Sequence, residues 1–454
     1  MTDEFWDPEI ETMTAADLRR LEAERLVGQV AYVYRASAFY REVLDRAGID
    51  PAGVTSHEVL AAVPLTEKAD LADGQRQGEL IGPHQAAEAK DIVRVVATGG
   101  TTSRPFRLAW TRDDIDDYSE MGARALWTLG CRPDDLVVNC FNYRLYAGGV
   151  MDHMSFERLG ATVLPYGVGE SRALLDLLAE LGPGLSLYAT PSYAVRLADV
   201  AAAAGIAPAA LGVAKGFFSG EAGLRLPGYR ARIEETWRLA AGDLYGLAEV
   251  GAQSGECRRR AGFHYGGGGL VLAELIDPAS GDVKRMADDE TGELVFTPLR
   301  RRASPVLRLR SHDIVRVFTA PCACGRTGFR FETLGRSDDM VVVKGVNVFP
   351  LAVQQTLTEM RPRLTGEFQL VLDRPPPIDY PPRLRAEVAA DVPPAAHDDL
   401  IAEIGDLISR RHGFSTSVEL VAAGSIPSTH KTRRVVRDDA AADTAQGGDD
   451  GDQT

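Results

Sequence analysis

Apolar residues recur along the chain in two alternating patterns. Residues 14–46 carry them at helical spacing, with glycine only at Gly28 and with Thr14 and Asp17 placed as in a capping box, so this stretch predicts a helix. Short runs rich in β-branched and aromatic residues then alternate with helical patterns, and these runs occupy residues 92–98, 135–140, 161–166, 185–190 and 214–220. The alternation predicts an α/β fold in which helices cover a sheet.

The pattern changes towards the C-terminus. From Leu270 the chain is a series of strands and turns, and residues 335–350 open a smaller unit. A chain of 454 residues is too long for one ordinary core. We therefore expect a large N-terminal α/β domain over 1–337, a small α+β domain over 338–437 and a disordered acidic tail over 438–454.

Composition and charge narrow the function classes. The net charge is −15, and it remains about −9 once the six aspartates after Arg437 are set aside. Such a body disfavours nucleic acid and anionic membranes as partners, so a small-molecule partner is expected. The chain has no apolar run long enough to span a membrane, and its acidic N-terminal stretch is unlike a secretory signal, so a cytoplasmic location is expected.

A stretch of small hydroxyl residues and glycines follows the run 92–98. The sequence TGGTTSRP, residues 98–105, offers unobstructed backbone N–H groups and three successive hydroxyls, which suit polyphosphate oxygens. The lysine of a Walker motif is missing. Alone, the stretch is equally consistent with a connecting turn or with a phosphotransferase loop.

Four further motifs follow in order: DLYGLAEVG (243–251), RLRSHD (308–313), GRSDDMVVVKGVNVFP (335–350) and IPSTHKTRR (426–434). The set resembles the adenylate-forming superfamily. FWDPEIETM, VPLTEKADL and YATPSYAVRLAD, with the motif at 335–350, resemble phenylacetate-CoA ligases more closely. The resemblance implies a large adenylating domain with a small mobile C-terminal domain. It also implies that a carboxylate attacks the α-phosphate of Mg·ATP, and that a thiol, usually CoA, then displaces AMP.

The resemblance also implies roles for single residues. Glu249 would bind Mg²⁺, Asp313 and Arg336 the ribose, and Lys431 would stabilise negative charge during adenylation. Asp338 would be the hinge of the small domain. The other nucleotide contacts would come from Thr98, Gly99, Gly100, Thr101, Thr102, Ser103, Arg104, Glu221, Tyr245 and Gly246.

The segment 141–150 resembles the one that lines the acyl pocket of these ligases. The substrate is then expected to be an aryl acid, with a hydroxyl or amino substituent suggested by the small Ala147. The candidate substrate residues are Phe141, Tyr143, Tyr146, Ala147, Gly148, Phe218 and Ala248, with Gly148 and Gly149 leaving room for a flat ring. A carrier protein, an amine or a hydroxyl remains an alternative acceptor to CoA, and a homodimer is expected from the family.

Several positions depart from the family pattern. Ser103 and Arg104 stand where Gly and Lys are usual, and Thr429-His430 precede Lys431 where Gly is usual. Ala248 replaces a Ser or Thr whose hydroxyl could reach the α-phosphate. These departures keep open a further alternative, an inactive nucleotide-binding protein.

Three of the five cysteines are candidate metal ligands. Cys257 and His264 lie in one segment, and Cys322 and Cys324 lie in another. Two thiol-bearing segments of this kind suit a closed tetrahedral zinc site that ties late strands together. The alternative is a set of ordinary reduced thiols, which is also the expectation for Cys131 and Cys140.

Overall fold

The computed structural model describes residues 4–75, 79–98, 106–374, 377–426 and 434–437. It divides into two compact units. The first comprises Met1–Glu221 with Ala231–Thr333, and the second comprises Ala222–Arg230 with Leu334–Thr454. None of the helices in the described ranges is both long and apolar enough to cross a membrane.

The helices of the described residues are α1 (Pro8–Glu11), α2 (Ala15–Ala36), α3 (Ala38–Arg46), α4 (His57–Leu60), α5 (Lys68–Asp73), α6 (Arg112–Leu129), α7 (Ala147–Leu159), α8 (Ser171–Leu181), α9 (Pro191–Ala203), α10 (Tyr229–Trp237), α11 (Pro350–Glu359) and α12 (His397–His412). Short 3₁₀ turns lie at Pro51–Gly53, Ala89–Asp91, Pro208–Leu211, Gly223–Arg225 and Pro394–Ala396. The predicted helix over 14–46 is thus interrupted at Ser37, whose hydroxyl accepts a hydrogen bond from the Tyr40 N–H and caps α3.

The strands of the described residues are β1 (Arg94–Ala97), β2 (Arg107–Trp110), β3 (Leu136–Asn139), β4 (Thr162–Leu164), β5 (Leu185–Ala189), β6 (Val213–Ser219), β7 (Ala240–Leu247), β8 (Gly251–Glu256), β9 (Phe263–Tyr265), β10 (Val271–Ile276), β11 (Val283–Lys284), β12 (Thr291–Pro298), β13 (Leu309–Phe318), β14 (Arg330–Arg336), β15 (Val341–Val343), β16 (Val346–Val348), β17 (Leu364–Leu372), β18 (Arg383–Val388), β19 (Ser417–Ala422) and β20 (Val435–Arg437).

A twelve-stranded sheet organises the first unit, in the order β11-β10-β12-β13-β14-β9-β8-β7-β6-β5-β3-β4. Strands β4, β3, β5, β6 and β7 pair in parallel, and pairing turns antiparallel between β7 and β8. Strand β5 is buried throughout, and β3 is buried except at its first residue, as expected where helices cover both faces of a sheet. The α/β fold class predicted from the sequence is confirmed.

The run 92–98 was expected to belong to this main sheet, and that interpretation is wrong. Its strand β1 pairs with β2 in a separate antiparallel ribbon, whose register joins Arg94 to Trp110 and Ala97 to Arg107. Nine residues separate the two strands. Antiparallel pairing tolerates so short a connection, whereas a parallel neighbour needs a crossover of a dozen or more residues.

The second unit has its own sheet and core. Its four strands lie in the order β19-β18-β17-β20, and β15 and β16 form a hairpin beside them. Helices α11 and α12 contribute Val353, Leu357, Ile404 and Ile408 to a core that also holds Phe368 of β17, and all five side chains are fully buried. This core identifies an independent α+β unit.

Candidate active site

The phosphate-loop candidate is carried by the β1–β2 ribbon. The Thr98 N–H donates to the Phe106 carbonyl at 2.9 Å, so the loop between them is closed at its base. Six of its predicted residues, Gly99 to Arg104, lie outside the described residues. At the loop's base the Thr98 hydroxyl and both ring nitrogens of His84 are buried and have no hydrogen-bond partner among the described residues.

His84 was not singled out by the sequence. Its ring lies 5.4 Å from that of Phe106, centroid to centroid, and burial lowers its pKa to about 4. A neutral imidazole donates a hydrogen bond from one ring nitrogen and accepts one at the other. Nothing in its local sequence, GPHQ, signals such a position.

Glu249 lies in the turn between β7 and β8, beside the point where the sheet changes from parallel to antiparallel. Crevices at the carboxyl ends of parallel strands are the usual ligand sites of such sheets. The side chain of Glu249 is only 5% exposed, and its Oε1 lies 2.6 Å from the Lys68 ammonium. Lys68, the first residue of α5, is a charged neighbour that the sequence analysis did not assign.

Asp313 lies in β13 and is held from two sides. Its Oδ2 accepts a hydrogen bond from the Tyr245 hydroxyl at 2.6 Å, and its N–H donates to the Ser311 hydroxyl at 3.0 Å. The predicted adenine neighbour and the predicted ribose acid therefore touch each other. Gly246, the next residue of β7, has no space for a side chain, because a Cβ there would lie 2.6 Å from the Ala252 Cα.

Glu221 follows β6, at the carboxyl end of the neighbouring parallel strand. Its two oxygens accept from the backbone N–H of Ser192 at 2.5 Å and from the Ser192 hydroxyl at 3.1 Å. Because Ser192 lies in the first turn of α9, this carboxylate ties the end of β6 to the start of that helix. The role of Glu221 beside adenine stays a prediction.

Arg336 and Asp338, predicted as a ribose contact and as the hinge, bind each other in the second unit. Two guanidinium nitrogens donate to the two carboxylate oxygens at 2.9 and 2.8 Å. Both side chains are partly exposed, so this pair is a surface interaction in a water-accessible setting. Lys431, the predicted adenylation lysine, lies outside the described residues.

The candidate acyl segment runs from the end of β3 to the start of α7. The Phe141 ring packs against the Tyr188 ring at a tilt of 34°, with a centroid distance of 4.5 Å, and it lies over Gly148, where a Cβ would be 3.0 Å from it. The space over this glycine therefore holds the Phe141 ring. The Tyr143 hydroxyl lies 2.9 Å from His153 Nδ1, and Tyr146 is 37% exposed.

The remaining substrate candidates differ in burial. Ala147 is buried at the start of α7, Phe218 is completely buried in β6, and Ala248 is partly buried against the main core. The segment is also tied to the phosphate ribbon, because the Ala97 N–H donates to the Leu145 carbonyl at 2.5 Å. The backbone of the candidate acyl segment, beside Tyr146, thus lies next to the strand that enters the candidate phosphate loop.

The structure brings Cys257, His264, Cys322 and Cys324 together. Their ligand atoms all lie within 4.8 Å of one another. The Cys257 and Cys322 sulfurs are 3.9 Å apart, and the Cys324 sulfur is 3.5 Å from His264 Nε2. Hydrogen bonding to Cys257, and secondarily to His264, holds the pKa of Cys324 well below its usual range, while the same contact and burial raise that of Cys257.

Comparison with known proteins identifies the family of this chain. The AMP-binding enzyme C-terminal domain family matches residues 345–439. Over 389 residues the chain is 34% identical to the phenylacetate-coenzyme A ligase of Thermus thermophilus, covering 85% of this chain and 84% of that ligase. The chain belongs to the phenylacetate-CoA ligase family.

Other relatives agree with this assignment. The phenylacetate-coenzyme A ligase of Pseudomonas putida is 32% identical over 426 residues, which are 92% of this chain and 93% of that one. A crystal structure of 2-hydroxyisobutyryl-CoA ligase in the postadenylation state, in complex with 2-HIB-AMP, superposes with a TM-score of 0.86 at 31% identity, covering 98% of this chain and 94% of that one. The protein is accordingly an adenylate-forming enzyme of the acid–CoA ligase class.

Proposed function

We propose that this member of the phenylacetate-CoA ligase family activates an aryl carboxylic acid of the benzoate or phenylacetate type to an acyl-adenylate and passes the acyl group to CoA. One observation carries the choice of acid. The segment that contains Phe141, Tyr143 and Tyr146 is hydrogen-bonded through Leu145 to Ala97, directly before the phosphate loop. An acid that attacks the α-phosphate has to lie beside that loop, where aromatic side chains favour a flat apolar ring.

The nucleotide roles follow from the chemistry of the residues. Asp313, oriented by Tyr245, would accept hydrogen bonds from the ribose hydroxyls, with Arg336 as a second contact. Glu249 offers a buried hard oxygen ligand, which fits Mg²⁺, and that ion would neutralise phosphate charge when bound. Lys431 would stabilise the charge that develops during adenylation. Positioning and charge neutralisation then supply most of the rate enhancement.

The Cys/His cluster fits a structural zinc ion. Tetrahedral coordination with Zn–S near 2.3 Å and Zn–N near 2.05 Å implies S···S and S···N separations of about 3.8 and about 3.6 Å. The observed separations are 3.9 and 3.5 Å. His264 lies in β9 and Cys322 and Cys324 precede β14, which pairs with β9, so the ion would fasten these two neighbouring strands together.

Pyrophosphate release tests the proposed reaction. The panel would contain benzoic, hydroxybenzoic, aminobenzoic and phenylacetic acids, with 2-hydroxyisobutyric acid as the aliphatic comparison, each with ATP and magnesium and with or without CoA. Lys431→Ala removes the proposed catalytic charge, and Lys90→Ala, an exposed lysine paired with Glu88, is the matched control. We expect release that depends on one aryl acid and on Lys431, and an acyl-CoA product in the lane with CoA.

Each departure from that result has a defined meaning. Release with 2-hydroxyisobutyric acid but with no aryl acid would refute the aryl assignment. Release from an aryl acid without formation of a thioester would replace CoA by another acceptor. Tight ATP binding without any release across the panel would support an inactive nucleotide-binding protein.

A further inference from the structure

The motif VPLTEKADL, residues 63–71, has no role in the proposed reaction. It nevertheless contacts Glu249 and the strand that carries Asp313. Thr66 runs alongside β13: its N–H donates to the Arg308 carbonyl at 2.9 Å, and its carbonyl accepts from the Arg310 N–H at 3.1 Å. The Thr66 hydroxyl also donates to the Leu307 carbonyl at 2.6 Å. The motif is therefore fixed to the strand that carries Asp313.

Glu67 continues this attachment through its side chain. Its carboxylate accepts from Arg310 Nη1 at 3.2 Å and lies 2.8 Å from His312 Nε2. His312 precedes Asp313 and adopts a left-handed conformation with φ of 61°, which is uncommon for a residue other than glycine. Glu293 also binds the His312 N–H, so this backbone is held from two directions.

The next residue, Lys68, reaches the other acid. Its ammonium lies 2.6 Å from Glu249 Oε1, which is almost completely buried, while Lys68 itself is 39% exposed. Lys68 thus contacts Glu249 directly, and the adjacent Glu67 contacts the strand that carries Asp313. No acidic side chain other than Glu249 pairs with Lys68 among the described residues.

We propose that Lys68 is a positioning residue that shares Glu249 Oε1 with magnesium and provides a positive charge for the phosphates of ATP. The proposal rests on the proposed role of Glu249 as a magnesium ligand. A cation in contact with a metal-binding carboxylate lies beside the metal and beside any phosphate oxygen that the metal holds. It therefore attracts the phosphates and repels the metal.

Loss of the Lys68 charge has opposite consequences for the two ligands. Metal-free ATP binds more weakly because one favourable charge is gone. Magnesium improves ATP binding by a larger factor, because the carboxylate no longer has a competing cation. A purely structural role would weaken ATP binding equally in both conditions and leave their ratio unchanged.

Calorimetric titration measures this ratio without turnover, since no acid is supplied. The dissociation constant of ATP is determined in EDTA and in saturating magnesium for wild type, Lys68→Met, Lys68→Arg and Glu249→Gln, with Lys90→Met as the matched exposed control. For Lys68→Met we expect a three- to tenfold weaker binding in EDTA and a ratio of the EDTA constant to the magnesium constant about three- to tenfold above wild type. Arginine at position 68 should keep both values near wild type.

The Glu249→Gln variant separates the two proposals. Its ratio should fall towards one if Glu249 binds the metal, and an unchanged ratio would refute that role. A lowered ratio in Glu249→Gln together with an unchanged ratio in Lys68→Met would overturn the proposal for Lys68 alone. Thermal unfolding of each variant confirms that it is folded under the titration conditions.

Discussion

The Cys/His cluster and the acidic residues of the candidate nucleotide site both place polar groups in buried or partly buried positions, but their partners differ. In the cluster, Cys257, Cys322, Cys324 and His264 contact one another around a common centre. In the acidic region each carboxylate has its own partner from elsewhere in the chain, Lys68 for Glu249 and Tyr245 for Asp313.

This difference predicts how each region responds to the loss of its ligand. Four converging soft ligands gain most of their stabilisation from a metal, so its loss should reduce the stability of the fold. Carboxylates that already have protein partners are held in position when no ligand is bound. Loss of their ligand should affect binding and rate and leave the fold intact.

The largest effect is expected for Cys324→Ser. Loss of one of the four proposed zinc ligands should lower the free energy of unfolding of the first unit by about 4 kcal/mol and abolish stoichiometric zinc. Urea denaturation and metal analysis of protein purified without chelator measure both quantities. Cys140→Ala removes a buried thiol outside the cluster and should cost only about 1 kcal/mol, with zinc unchanged.

The contrast would disappear if wild-type protein contained no zinc. In that case Cys322 and Cys324, which are only partly buried, should react with iodoacetamide in the folded protein, and Cys324→Ser should resemble Cys140→Ala in stability.

Asp152 sharpens the comparison because it is a buried carboxylate whose partners among the described residues are hydroxyls. The hydroxyls of Tyr118 and Tyr188 donate to it at 2.7 and 2.5 Å. Burial nevertheless raises its pKa from 3.8 to about 6. Because the folded state binds the proton more tightly than the unfolded state, this group favours folding at low pH and loses that contribution as pH rises from about 4 to about 6.

Asp152→Asn should remove this pH dependence. Relative to wild type, the free energy of unfolding of the variant should rise by about 2 kcal/mol between pH 4.5 and pH 7.5, because most of the effect of the pKa shift falls within this range. Urea denaturation of both proteins at the two pH values measures the difference. A difference that stays constant with pH would mean that Asp152 titrates normally in the folded protein.

Tyr245→Phe tests whether the acidic region acts through orientation. Removal of the hydroxyl bound to Asp313 should raise the KM for ATP about three- to tenfold, with a smaller change in kcat, because the proposed ribose acid loses a fixed partner. Steady-state pyrophosphate release at varied ATP measures this change. Tyr34→Phe is the matched control, since Tyr34 donates to Asp45 at an exposed site. A fall in kcat at unchanged KM would contradict an orienting role.

The smallest effect on stability is expected for Asp338→Asn. Its ion pair with Arg336 is well aligned but partly exposed, so its loss should change the free energy of unfolding by less than about 1 kcal/mol. If Asp338 is the hinge, the ratio of the adenylation rate to the thioester-forming rate should still change. A fall in melting temperature of more than about 5 °C would instead assign the residue to the fold.

The sequence predicted the fold class and the family, because both depend on local periodicity and on ordered motifs. It failed for β1, whose composition suits the main sheet but whose nine-residue connection to β2 directs it into a separate ribbon. The break between α2 and α3 was missed because Ser37 lies within a run of good helical spacing, where only its capping hydrogen bond reveals it.

The candidate site was predictable only where a motif marked it. The pairing of Lys68 with Glu249 joins residues 181 positions apart, and no local pattern encodes such a contact. Asp152 likewise reads as an ordinary polar helix residue, because both tyrosines that bury it lie far away in sequence. The catalytic and binding roles assigned from the motifs stay predictions.

The hydrogen bond from the Ala97 N–H to the Leu145 carbonyl has a consequence for substrate binding. It makes the acyl segment and the strand entering the phosphate loop neighbours in one backbone ladder. A ring substituent that displaced Tyr146 would therefore also displace that strand. Acids that fit poorly should then bind weakly themselves and also weaken the apparent affinity for ATP. The size of the acid would thus be coupled to the binding of the nucleotide.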